Sequence, residues 1–182
     1  MGIDGAFLRC AAGVLAFALT CGGALAQGHK HGGGHGHAHA HGLGQMQIVI
    51  DGTVLRGELQ IPMESLLGHE YLPRSQAQKN AMAQLRQALN NPAYVMQPAP
   101  AAQCQATESR ATSPMFEGRD EGGHSSLLFV FAWRCEQPQQ LRKIDFPLFG
   151  KHPRLKEIAV EMVSPGAQRA LRIKAAQAQL VW

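Results

Sequence analysis

Apolar and polar positions alternate along much of the chain, and the alternation predicts strands. From Gln45 onward, Met46, Ile48 and Ile50 alternate with Gln47, Val49 and Asp51, the two-residue period of a strand with one buried face. Asp51-Gly52 supplies a tight turn, and residues 53–61 return as a second strand that Pro62 ends. The strongest β pattern is 126–135, where Leu127, Phe129, Phe131 and Trp133 share a face and cannot all stay in water. Residues 104–110 read as a polar-alternating strand. Residues 141–146, 157–163, 168–174 and 179–182 complete the set. Ser164-Pro165-Gly166-Ala167 is a turn, and 147–153 a short helical or irregular link.

One segment has a helical period. Ser75 is the candidate N-cap, and Ala77, Ala81, Met82, Leu85 and Leu89 make one apolar stripe. Asn90-Asn91-Pro92 stops the helix, because a residue before proline is pushed out of the α region. A Pro/Ala-rich connector follows over 97–102, and 113–125 is a hydrophilic loop. The expected fold class is α+β, a mostly antiparallel sheet with one main helix.

The first 44 residues lack this patterning. Arg9 precedes an apolar run over 11–19, too short for a bilayer, which needs about 20 apolar residues. Ala24-Leu25-Ala26 is an A-x-A-like cleavage site, so residues 1–26 read as a secretion signal and the mature chain starts at Gln27. A lipoprotein alternative needs a small residue before Cys21, and Leu19-Thr20 fit that poorly. A buried helix of a cytosolic domain is disfavoured by the cleavage site and by the switch to low-complexity polar sequence. Residues 27–44, nearly all Gly, His and Ala, have too little apolar surface to offset the entropy of ordering and are expected to be disordered without a ligand. Residues 45–182 make one domain of ordinary size.

Composition narrows the function classes. The net charge is +4, and the Lys and Arg residues are scattered, which argues against a nucleic-acid surface. No second segment approaches membrane-spanning length. Cys10 and Cys21 leave with the signal, and Cys104 and Cys135 remain as an even pair in an oxidising setting. Their simplest reading is a disulfide, worth about 3–4 kcal/mol for a loop of about 30 residues in the chain-entropy model. Two thiolate metal ligands are the alternative, but neither has a C-x-x-C neighbour.

The candidate chemistry is metal ligation. Six of the nine histidines, His29, His31, His35, His37, His39 and His41, lie in the tail. Zinc takes about four ligands at roughly 2 Å, and extended His-x-His presents two imidazoles on one side. The Gly and Ala between them leave the backbone room to bend further rings around one ion. Free imidazole titrates near about 6.5, so such a tail is binding-competent at neutral pH and releases metal on acidification. Ordering entropy and the lack of fixed outer partners favour several exchanging zinc ions of moderate affinity. Copper(II) and nickel(II) bind imidazole at least as well. His124 with Glu117, Asp120 and Glu121 is a second, mixed nitrogen–oxygen candidate set in the acidic loop; a solvated loop is the alternative. His69 and Glu70 read as packing or capping residues, with metal ligation the alternative, and His152 as structural or exposed.

The order His41-Gly42, Asp51-Gly52, 58–62, Ser65-Leu66-Leu67-Gly68, Glu70, Pro73 and Ala77-Gln78-Lys79 resembles a known family. So does the continuation through Cys104, Cys135, 141–145, Phe149, Pro153, Leu155 and Ser164-Pro165-Gly166. The chain is similar to the ZrgA-like family of periplasmic, histidine-rich zinc-uptake proteins over nearly all of the mature sequence. The resemblance implies a non-enzymatic periplasmic accessory that binds zinc and assists its uptake, with a zinc ABC-transporter receptor or an outer-membrane importer as partner. Family members usually carry a long His- and acid-rich insertion between the two cysteine-bearing strands, shortened here to 117–124. They often have a histidine where Tyr71 stands, whereas His69 replaces an aromatic. These departures shift the expected binding capacity toward the tail. A copper or nickel tolerance or sensing protein is the competing reading, although the methionines are dispersed rather than clustered as copper(I) handling requires. A metallohydrolase would need three ligands and a general base on rigid elements, and no H-E-x-x-H occurs.

Overall fold

The computed structural model describes residues 41–120, 122 and 124–182. The expected secretion signal (1–26), five of the tail histidines and Glu121 lie outside the described residues. The fold is mostly β-sheet with few helices and one disulfide.

Strand β1 (Leu43–Asp51) and strand β2 (Val54–Pro62) form the expected hairpin. Asp51 pairs with Val54, so the two-residue loop is Gly52-Thr53, with Gly52 at φ 55°. A positive φ at the first loop residue only suits glycine cheaply and matches the strand twist. β1 begins at Leu43, two residues before the boundary expected from composition, because Gly42 and Gly44 are backbone-paired despite their tail-like character. The Gly42 carbonyl accepts from the amides of Lys156 and Glu157.

β2 pairs antiparallel with β5 (Ser126–Cys135), and β5 with β4 (Cys104–Thr112). In the β4–β5 ladder Cys104 faces Cys135, and the two are joined by the disulfide expected from the sequence. On the other side β1 runs parallel to β7 (Glu157–Ser164), which turns into β8 (Ala167–Lys174). The six-stranded order is β4-β5-β2-β1-β7-β8, and β3 (Gln97–Pro98), β6 (Lys143–Asp145) and β9 (Gln179–Val181) form a second, three-stranded sheet. Both sheets feed one core. Met46, Ile48, Leu55, Leu59, Phe129, Phe131, Ile158 and Val160 come from the large sheet, and Ile144 and Leu180 from the small one.

Gly57 marks the tightest point of that core. A Cβ there would stand 2.0 Å from the Gln47 carbonyl oxygen and 2.9 Å from the Phe131 ring. The missing side chain is what lets Phe131 lie against β2.

Among the described residues three α-helices accompany the sheets. α2 (Gln76–Ala88) starts where the sequence predicts: Ser75 Oγ accepts from the Gln78 amide and Gln78 returns a bond to the Ser75 amide, a reciprocal cap. Leu85 and Leu89 are buried and Met82 partly so, but Ala77 and Ala81 are exposed. The expected stripe is therefore buried only in its second half, since two alanines offer little area to draw the first turns onto the core. α1 (Met63–Leu67) and α3 (Leu148–Lys151) are short. α1 was not visible in the sequence; it follows β2 directly after Pro62 and closes on Gly68 at φ 82°. Met63 N donates to Ser125 O, which seats α1 beside the start of β5.

Candidate metal-binding site

α1 and the turn after it carry two carboxylates, Glu64 and Glu70, and each meets an imidazole. At the start of the fold, Gly42 N donates to Ser65 Oγ at 3.0 Å, pinning the base of the tail to α1. This brings His41 Nδ1 to 3.3 Å from Glu64 Oε2. The other Glu64 oxygen lies 3.4 Å from an Arg154 guanidinium nitrogen. The pair is solvent-facing and already balanced by a cation.

The acidic loop arranges itself differently from the expected cluster. Its first turn is a 3-10 segment, Pro114–Glu117, anchored by buried Met115. Glu117 Oε2 accepts from both Nε and a terminal nitrogen of Arg119, at 2.9 and 2.7 Å. Asp120 Oδ1 accepts from the Gly122 amide at 3.1 Å, closing a local turn. His124 instead has Nδ1 3.5 Å from Glu70 Oε2. Among the described residues, no three of His, Cys, Asp or Glu gather as a ready metal cage. An open cleft of about 510 Å³ lies beside this loop, lined by Ser113, Glu117, Arg119, His124 and Ser126 among others.

Glu70 is the residue for which the sequence favoured packing or capping over ligation. It is only 8 % exposed. Its Oε1 is fully buried with no hydrogen-bond partner. The available signal was an ionisable residue set in an apolar context, among Leu66, Leu67, Tyr71, Leu72 and Pro73. Its partner lies far away in sequence, which no local pattern reveals.

The other two described histidines, His69 and His152, are held by hydrogen bonds within the fold. His69 is buried, and its Nδ1 donates to the Tyr71 carbonyl at 2.9 Å, with the two rings 4.8 Å apart. His152 is buried between α1 and Tyr94. Its Nδ1 lies 2.9 Å from the Leu66 carbonyl, which can only accept, so Nδ1 carries the proton. Nε2 then accepts from the Tyr94 hydroxyl at 2.8 Å. Burial pushes the His152 pKa below 6.5, with Lys151 adding to the fall and the Leu66 carbonyl opposing it; burial likewise raises the Tyr94 hydroxyl.

These features define a disulfide-tied β domain that presents imidazole–carboxylate pairs around one short segment, the donor chemistry of a divalent cation. The chain belongs to the ZrgA family of zinc uptake proteins, whose model matches residues 38–182. No curated protein matches it. The family match assigns the chain a zinc-uptake role, and it leaves His29, His31, His35 and His37 outside its span. Among the described residues no helix is long and apolar enough to cross a membrane.

Proposed function

We propose that the protein is a non-enzymatic, exported accessory of zinc uptake, which collects zinc in the periplasm and passes it to a zinc ABC-transporter receptor or an outer-membrane importer. The observation that carries this reading is membership of the zinc-uptake family over residues 38–182. The tail supports it chemically: His35, His37, His39 and His41 alternate with Gly or Ala, so paired imidazoles are available at little steric cost. The signal-like residues 1–26 and the cross-strand disulfide fit an oxidising compartment. Collecting several ions at moderate affinity suits a donor, because an ion held too tightly is not passed on.

Equilibrium dialysis with metal analysis tests the reading. The full chain is expected to bind several zinc equivalents. A sixfold tail variant, carrying His29→Gln, His31→Gln, His35→Gln, His37→Gln, His39→Gln and His41→Gln together, should lose most of them. Equal binding by the two proteins would overturn the collector role. A strain lacking the protein should grow poorly in zinc-depleted medium, and a defect confined to copper-loaded medium would reject zinc uptake.

A further inference from the structure

We propose that Glu70 and His124 form a zinc-holding site in the folded domain itself, separate from the histidine tail. The proposal rests on the zinc reading above and adds a fixed site to it. Three observations carry it.

The first is the state of Glu70. A carboxylate buried to this degree loses most of its hydration, and one of its oxygens has nothing in its place. Burying a charge without a counter-charge or full hydrogen bonding is costly enough that such groups are paired or bind metal. Arg154 serves that need at Glu64. At Glu70 the ion pairs formed among the described residues include only His124, an imidazole, which is either a weak counter-ion or a neutral ligand.

The second is the spacing. A charge-assisted N–H···O bond closes to about 2.7–2.9 Å, and the His124–Glu70 pair stands at 3.5 Å. Two donors bound to one tetrahedral zinc at about 2.0–2.1 Å are separated by about 3.3 Å. The pair is therefore too open for a strong direct bond and close to the edge of a zinc tetrahedron, which a small movement of the exposed His124 side chain would complete.

The third is the setting. Among the described residues the buried side-chain polar atoms without a partner are Glu70 Oε1, Ser113 Oγ, Ser125 Oγ, Ser126 Oγ and Trp133 Nε1. The three serines flank the loop that carries His124, two of them lining the same cleft. Natural interiors rarely leave such groups unmet, and their concentration here marks a polar pocket beside the pair. Two protein ligands leave two positions of a tetrahedral zinc for solvent or an incoming donor. A site of that kind exchanges its ion readily, as a relay requires.

Calorimetry with zinc chloride on the full chain tests this. In the sixfold tail variant one zinc equivalent is expected to remain. Adding Glu70→Gln or His124→Gln should weaken it by about tenfold or more, since even outer-sphere changes cost about 10–100-fold in metal affinity. Glu70→Gln keeps the shape of the side chain and, by removing a buried charge that only an imidazole faces and whose Oε1 has no partner, should raise the metal-free melting temperature by about 3 °C. A merely structural ion pair would give the opposite sign. Zinc should raise the melting temperature of the sixfold tail variant but not after Glu70→Gln. No zinc bound by the sixfold tail variant, or one equivalent indifferent to both substitutions, would overturn the site. Neither outcome touches the collector role, which is read from the loss between the native tail and the sixfold variant.

Discussion

His41–Glu64 and His124–Glu70 are the same two residue types held against the same short segment, yet they differ in character. Glu64 is 21 % exposed and shared between His41 and Arg154, so its charge is both hydrated and balanced. Glu70 is 8 % exposed, has a buried oxygen without a partner, and faces His124 alone among the described ion pairs. A third imidazole, His152, packs against the same segment with both nitrogens committed to neutral partners, the Leu66 carbonyl and the Tyr94 hydroxyl. The difference teaches that an imidazole here is a strut, a salt-bridge member or a prospective ligand according to what faces its nitrogens.

The largest expected effect comes from removing the strut. His152→Ala deletes two hydrogen bonds, leaves the Leu66 carbonyl and Tyr94 hydroxyl unmet, and opens a cavity. Denaturant unfolding should show a loss of about 3 kcal/mol, while zinc stoichiometry of the folded protein stays unchanged. A loss below about 1 kcal/mol would show that α1 does not depend on it.

The same residue sets a pH dependence. Its folded pKa is depressed below the unfolded value of 6.5, mainly by burial. The unfolded chain then binds more protons in that window, so stability rises with pH there. The contribution of neutral His152 is complete above 6.5 and is lost as pH falls through the lower, folded value. Unfolding measured between about pH 7 and pH 5 should steepen on the acid side of about 6.5. His152→Gln should flatten that part of the profile; an unaltered slope would assign the acid sensitivity to other groups.

The two carboxylates should respond with opposite signs. Without zinc, Glu70→Gln is expected to stabilise by about 1 kcal/mol, because a buried charge that only an imidazole faces, with one oxygen unmet, is removed. Glu64→Gln should cost between about 0 and 1 kcal/mol, the range of exposed ion pairs. Equal changes in the two melting temperatures would erase the distinction between them.

Much of the scaffold was legible in the sequence because it is local. β5 matches its expected span residue for residue, Ser75 caps α2, and Cys104 meets Cys135 across neighbouring strands. What escaped is non-local or short. The parallel pairing of β1 with β7 joins segments more than a hundred residues apart, and five-residue α1 is too brief to show a period. The candidate ligands divide the same way. Glu117 and Asp120 stand near His124 in sequence but are held by Arg119 and Gly122. Glu70, remote in sequence, is a carboxylate that reaches it among the described residues. Glu117 and Asp120 have local partners, whereas Glu70 is buried and keeps one oxygen unmet.

The smallest expected effect is also the most direct conversion of one pair toward the other. Arg154→Met removes the cation beside Glu64 while keeping apolar length over Gly68, whose ideal Cβ position lies 3.1 Å from Arg154 Nε. With His29, His31, His35, His37 and His39 changed to glutamine, His41 and Glu64 remain as a pair at the base of the tail. Without the competing guanidinium, Glu64 should attract zinc more strongly. The interaction removed is an exposed one worth about 0–1 kcal/mol, so the gain in affinity should stay below about fivefold. Screening sharpens the point: raising ionic strength from about 0.01 M to 1 M shortens the Debye length from about 30 Å to 3 Å, and the gain should shrink with it. A gain that persists undiminished at high salt would mean that Arg154 blocks the pair sterically rather than by its charge. No gain at low salt would mean that hydration alone, and not Arg154, separates Glu64 from Glu70.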